Sequence, residues 1–253
     1  MRRLEATPLP GIPMVRQGDD LVKIIWDGLD CGRLSLEDGD ILVIAQKVVS
    51  KAEGMVVALD GIEPSPEAQR LAKVVGKDAR LTETVLRESR EVLRASRDRL
   101  IVENRQGLIC DNAGIDRSNV SQVDGPKVSL LPTDPDASAA HIRQGLRELS
   151  GKEVAVVISD SHGRPFRTGC VGIAIGAAGI ASLWDRRGQQ DLYGRPLAST
   201  EVALADLVAS AALLAMGEAS EGTPVVLVHG APNPPGHGSA RDLLRPKEED
   251  LFR

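Results

Sequence analysis

Apolar runs of strand length are spaced along the chain by segments of helical length. Ile41–Val49 is an aliphatic run launched from the Asp38-Gly39-Asp40 turn, and Met55–Leu59 is a shorter one closed by Asp60-Gly61. Leu100–Glu103 and Leu108–Cys110 read as short strands flanking Arg105-Gln106-Gly107. Val154–Ser159 reads as a buried strand, and Pro224–His229 as the last one. Cys170–Gly176 is strand-like but glycine-rich, which asks for a neighbouring backbone or a ligand at close range. Helices are predicted over Leu21–Leu29, with Asp19 or Asp20 as the capping oxygen, and over Pro66–Val75 and Asp136–Ser150. Leu81–Ala95, with Arg and Glu at i,i+3 and i,i+4, reads as a helix with a solvated face. Ser199–Met216 is an Ala-rich helix with Gly217 at its C-terminal cap. Asp111–Val120 has neither period, so it is a loop whose polar groups need partners. Turns fall at Gly11–Val15, Gly18-Asp19-Asp20, Pro132–Pro135, Arg186-Arg187-Gly188 and Tyr193–Pro196, and Ala231–Ser239 is a Pro/Gly-rich tail. Strands and helices do not alternate regularly, so the predicted fold class is mixed α+β rather than a doubly wound sheet.

Composition narrows the function. The 253 residues, 42% apolar and 26% charged, suit a folded protein with a sizeable core, as one large domain or two small ones. A net charge of −5 disfavours general nucleic-acid binding, and five aromatic residues leave few rings to stack bases. The three cysteines, Cys31, Cys110 and Cys170, are too few and too widely spaced for a disulfide framework or a zinc site, and read as idle thiols in a reducing compartment. No apolar stretch that could act as a signal peptide follows Met1-Arg2-Arg3, and the longest small-apolar run, Val202–Met216, is broken by Asp206 and Ser210. A cytoplasmic protein without membrane or nucleic-acid partners is expected. The Ala- and Gly-rich stretches Val171–Ala181 and Val202–Ala215 are candidate faces for a homodimer.

Several chemistries are missing from the chain: it carries no G-x-x-x-x-G-K-[ST] loop, no G-x-G-x-x-G after a strand and no G-x-S-x-G elbow. The richest segment is Ile158-Ser159-Asp160-Ser161-His162-Gly163-Arg164-Pro165-Phe166-Arg167. There a strand delivers the Asp160 carboxylate and the Ser161 hydroxyl, hard oxygens suited to Mg²⁺ or Mn²⁺. Arg164 and Arg167 follow, and guanidinium groups suit phosphate. Asp160, Arg164 and Arg167 are thus the candidate catalytic residues, against the plainer reading of a capped turn with surface arginines. Asp111–Val120 offers Asp116 and Asn119, or an ordinary Asx-turn loop. Lys47 and Lys51 bracket the end of the Ile41–Val49 run, as phosphate contacts or as solvated lysines. Glu218 follows the Ala-rich helix where the helix dipole disfavours an anion, which suggests a metal.

Taken together, these segments resemble the coenzyme F420-0:L-glutamate ligases, the gamma-glutamyl ligases of the deazaflavin coenzyme. The resemblance runs through Gly18-Asp19-Asp20, Ala45-Gln46-Lys47-Val48-Val49-Ser50-Lys51-Ala52-Glu53-Gly54 and Asn112-Ala113-Gly114-Ile115-Asp116-Arg117-Ser118-Asn119-Val120. It continues through Ser159–Arg167, Asp191-Leu192-Tyr193-Gly194-Arg195 and Met216-Gly217-Glu218. It implies a GTP-dependent amide ligase that uses Mg²⁺ or Mn²⁺ with K⁺, built as an intertwined homodimer of two-lobed subunits. Carried over by position, Asp116, Asp160, Ser161 and Glu218 would hold the metal. Ile12, Pro13, Met14, Val15, Gln46, Lys47, Lys51 and Asn119 would contact the nucleotide. In that family the Ser161 position is often Thr and the Glu218 position often Gln, and both exchanges keep an oxygen ligand. Some bacterial members are fused to a nitroreductase-like flavin domain; the chain is expected to be the ligase module alone.

The implied reaction passes the γ-phosphoryl group of GTP to the phospholactyl carboxylate of coenzyme F420-0, giving an acyl phosphate. The amine of L-glutamate then displaces phosphate, and further gamma-linked glutamate can follow. The alternatives are a metal-dependent phosphohydrolase using the same carboxylates and a non-catalytic, nucleotide-binding dimeric scaffold.

Overall fold

The computed structural model describes residues 3–234 and 236–251. Met1, Arg2, Pro235, Phe252 and Arg253, which the sequence reading touches at both ends and in the tail, lie outside the described residues. The first half of the chain runs β1 (Glu5–Pro8), α1 (Leu21–Cys31), β2 (Ile41–Ala45), α2 (Gln46–Ala52), β3 (Val56–Ala58), α3 (Pro66–Val75), α4 (Ala79–Arg87), β4 (Ser89–Ser96), β5 (Arg99–Asn104) and β6 (Ile109–Asp111). The second half runs β7 (Lys127–Ser129), α5 (Pro135–Ser150), β8 (Ala155–Arg164), β9 (Arg167–Ala178), β10 (Leu183–Asp185), β11 (Glu201–Ala203), α6 (Leu204–Met216) and β12 (Val225–His229). The class is mixed α+β, as expected.

One mixed sheet has the order β1-β12-β2-β8-β9, and only the β2–β8 pair is parallel. One face packs Leu42, Ile44, Val156 and Ile158 against Leu21 and Ile25 of α1 and Ile142 and Leu146 of α5. The other face packs Ile41, Val43, Val157, Val226 and Val228 against Ala205, Val208, Ala209 and Ala212 of α6. Both faces of β2 are therefore buried, which is why its sequence is continuously apolar instead of alternating. A third cluster gathers Leu59, Val75, Leu81, Val85, Leu100, Val102 and Val128 around β4-β5-β6, β3-β7 and the α3–α4 pair.

Register places four chain segments at one end of the large sheet. Ala45 at the end of β2 pairs with Ser159, so Asp160 is the first β8 residue past its partner strand. The start of β12 lies at the same end, because Val225 pairs with Ile44 and the Ala45 N–H donates to Pro224 O at 2.8 Å. The chain leaving β1 also arrives there, with the Leu9 N–H donating to Val225 O at 2.9 Å.

Several elements differ from their sequence reading. The Ile41–Val49 run is strand only to Ala45, and Gln46–Ala52 is helical. Val48 and Val49 are strand formers by propensity, but once the sheet ends they are buried as one face of a helix. Leu81–Ala95 splits: α4 stops at Arg87, the Ser89 hydroxyl donates to Val85 O at 2.6 Å, and β4 pairs with β5. Val154–Ser159 continues to Arg164, because the antiparallel partner β9 extends the ladder over polar residues. The start of Ser199–Met216 is strand, since Val202 pairs with Trp184 before α6 begins at Leu204. The Asp20 cap of α1 and Gly217, at positive φ after α6, are as expected. Of the cysteines only Cys110 is buried; Cys31 and Cys170 are exposed.

The glycines of β9 mark a close approach of backbones. A Cβ on Gly172 would stand 2.5 Å from Ala209 O of α6, and one on Gly176 would stand 2.4 Å from Pro135 O of α5. The Ser210 hydroxyl donates to Gly172 O at 2.7 Å across the same contact. The small-residue stretches proposed as dimer faces thus pack on each other within one chain. Gly172→Val is expected to lower stability by about 1–3 kcal/mol or more, read as a fall in the urea midpoint at unchanged m-value.

Candidate functional site

The converging segments enclose a cleft of about 360 Å³ at that end of the sheet. The loop after β1 supplies Ile12, Pro13, Met14 and Val15 to its wall. Val15 is buried in the core, Met14 is 76% exposed, and the Gly18 N–H donates to Ala52 O at 2.9 Å, tying the loop to the end of α2. α2 presents Gln46, Lys47 and Lys51. The Gln46 side chain is buried, with its Oε1 accepting from the Ser50 hydroxyl at 2.9 Å. One helical turn separates Lys47 from Lys51, so both ammonium groups emerge on the cleft side.

The connection between β6 and β7 closes over the two lysines. Lys47 Nζ lies 2.9 Å from Asp116 Oδ2 and 2.9 Å from Ser118 Oγ. Lys51 Nζ donates to Asn119 O at 2.7 Å. Asp116 is fixed by paired backbone hydrogen bonds with buried Ser129, at 3.0 and 2.8 Å. Its Oδ1 accepts from the Ser118 N–H at 2.7 Å, and its Oδ2 from the Ser118 hydroxyl at 2.7 Å. Burial pushes the Asp116 carboxyl upward, but the bonds from Lys47 and Ser118 outweigh it and hold the group below the usual carboxylate range. Burial, helped by the neighbouring Lys47 charge, lowers the Lys51 ammonium.

Asp160 and Ser161 of β8 and Glu218 beyond α6 line the same space. Burial pushes the Asp160 carboxyl up to about 7, with the charges of Asp116 and Glu218 adding to the shift. The Ser161 N–H and Lys47 oppose it. A carboxyl raised by desolvation and by like charges is neutralised by a proton or by a cation. Burial likewise pushes the Cys110 thiol up to about 12, which leaves it an inert neighbour of Asp160.

Every residue assigned to the nucleotide lines the cleft, as do Asp160, Ser161 and Glu218; Asp116 reaches it through Lys47. Arg164 and Arg167 do not line it. They sit at the β8–β9 turn, where Arg164 Nη2 donates back to Thr168 O at 3.4 Å and Arg167 is exposed. The strand does not end at Asp160, so the next residues run on down the hairpin, away from the cleft. The sequence reading takes Glu218 alone from its loop, yet Leu213, Met216 and residues 219–224 also line the cleft. Gly217 and Gly222 take positive φ there, at 72° and 70°, and these paired glycines were the signal for a folded loop.

The donor set is three carboxylates and a hydroxyl, all hard oxygens. Among the described residues, no three His, Cys, Asp or Glu side chains are drawn close enough to hold an ion alone. Among the described residues no helix is long and apolar enough to cross a membrane.

The sequence pattern of F420-0:gamma-glutamyl ligases matches residues 11–230, a span that takes in every candidate residue above. The chain belongs to that family. The coenzyme F420:L-glutamate ligase of Methanothermobacter thermautotrophicus is 50% identical over 247 residues, covering 96% of each chain. Its namesake in Methanocaldococcus jannaschii is 51% identical over 218 residues, 86% of each chain. The Methanopyrus kandleri enzyme of that name is 49% identical over 254 aligned positions, 99% of this chain and 98% of its own. The resemblance carried by the motifs thus extends to full-length similarity with this family.

Proposed function

We propose that the chain joins L-glutamate to coenzyme F420-0 as a GTP-dependent, GDP-forming ligase, and adds further gamma-linked glutamate to the product. The observation that carries this reading is one cleft lined both by two lysines and by Asp160, Ser161 and Glu218. The chemical difficulty is charge, because an anionic carboxylate must approach an anionic triphosphate. Lys47 and Lys51 bind and screen the phosphates. The walls from Ile12–Val15 and from Leu213 and Met216 hold the base and exclude water. Asp116, Asp160, Ser161 and Glu218 would hold Mg²⁺ or Mn²⁺, which supplies charge neutralisation when bound.

The γ-phosphoryl group passes to the acceptor carboxylate, leaving GDP and an acyl phosphate. The free amine of glutamate then forms the amide and releases phosphate. No enzyme nucleophile is required, in keeping with the inert Cys110. Arg164 and Arg167, which do not line the cleft, are given no part in this step.

Incubation with GTP, Mg²⁺ and K⁺, with and without F420-0 and glutamate, tests the reading. GDP release is expected only with both co-substrates, together with a mass gain of one or more glutamyl units. Release without them would mean a hydrolase, and none under any condition a scaffold. A homodimer of two-lobed subunits in the cytoplasm completes the proposal. It is supported by the exposed Leu207 and Leu214 on α6 and by Leu192 and Tyr193 at a projecting turn. Light scattering at micromolar concentration is expected to give twice the 26.9 kDa chain mass, and a monomer mass would contradict it.

A further inference from the structure

In the cleft, a group assigned to the nucleotide and a group assigned to the metal are bonded to each other. Lys47 Nζ sits 2.9 Å from Asp116 Oδ2, and the two side chains are only 28% and 33% exposed. The same Oδ2 also accepts from the Ser118 hydroxyl, so its lone pairs are occupied. A divalent ion approaching that oxygen competes with the ammonium, and a triphosphate approaching the ammonium competes with the carboxylate. Resting on the ligase reading, we propose that Lys47 is an internal counter-cation of the metal site, exchanged on loading. Metal at Asp116 frees Lys47 for phosphate, and phosphate at Lys47 frees Asp116 for metal. The ion pair thereby couples the two ligands positively, beyond any direct contact between them, and the coupling is reciprocal.

The surrounding structure permits the exchange without movement of the loop. Asp116 stays anchored through the backbone of Ser129 and the Ser118 N–H after the lysine leaves. Lys51 provides the contrast: one turn away on the same helix, it donates to the neutral carbonyl of Asn119. Its removal changes the local charge equally without freeing an Asp116 oxygen.

The test is binding, not turnover. Free Mn²⁺ is followed by electron paramagnetic resonance as it is titrated into nucleotide-free wild type, K47M and K51M. K47M is expected to bind Mn²⁺ roughly fivefold tighter or more, the lower bound of ordinary coupling. K51M is expected to tighten binding clearly less than K47M, since Lys51 feels the Asp116 charge only through space and occupies none of its oxygens. Equal tightening in both variants would reduce the effect to bulk charge and overturn the proposal, as would no tightening in K47M.

The mirror experiment titrates a non-hydrolysable GTP analogue in EDTA. D116N, which frees Lys47, is expected to bind it roughly fivefold tighter than wild type. E218Q removes a cleft carboxylate that no ion pair engages among the described residues, and it is expected to gain less. Equal gains, or a loss in D116N, would overturn the exchange. Wild type binding neither Mn²⁺ nor the analogue would instead remove the ligase reading, and the proposal with it.

Discussion

Asp160→Asn is expected to lower kcat by at least about a hundredfold, because loss of even an outer partner of a metal ligand costs roughly 10- to 100-fold. The protein is expected to stay folded. Asp160 lies past the last β2 partner and belongs to none of the apolar clusters, Asn is nearly isosteric with it, and the backbone pairing with Ile173 does not depend on its charge. Stability offers a second, signed readout. Burial raises the carboxyl from 3.8 to about 7, so the folded state holds this proton more tightly than the unfolded chain. The stabilisation is full below about pH 4 and is lost as pH rises through about 7. Metal-free wild type should therefore lose Tm between these values from this group, and Asp160→Asn should lose less over the same range. Wild-type kcat in the variant would remove Asp160 from the metal, and identical Tm slopes would remove the burial argument.

Lys51→Ala is expected to raise the KM for GTP about tenfold, with a smaller change for glutamate. The ammonium lies in the cleft wall beside Lys47, and burial already lowers its pKa, so it meets an incoming phosphate in a partly dry place. A hydrogen bond to a charged group is worth about 1.5–3 kcal/mol. The lower figure applies because Lys51 remains partly exposed, and it corresponds to roughly tenfold in affinity. A solvated lysine at a turn would change binding by under about 0.5 kcal/mol. GTP titration of wild type and variant at low salt separates the two. Unchanged affinity would leave the bond to Asn119 O as the whole role of Lys51.

The sequence alone determined the mixed class, the helices α1, α3 and α5 and the motifs of the family. Those features are local: an Asp20 cap, a Ser65 cap followed by Pro66, and left-handed Gly76 and Gly151 closing α3 and α5. The residue types of the site were legible for the same reason, since Asp160-Ser161 and the Lys47–Lys51 spacing are chemistry visible in one segment. Where elements end was not legible. Ile41–Val49 turns from strand to helix at Gln46, where β12 supplies no further partner and β8 runs on paired with β9 alone, and no residue in the run announces it. Arg164 and Arg167 follow Asp160 in sequence, but hairpin pairing with β9 carries them out of the cleft. The union of Lys47 with Asp116 spans 69 residues of chain. It exists because β7 pairs with β3, which follows directly on α2, so that tertiary pairing alone sets a metal ligand against a nucleotide lysine.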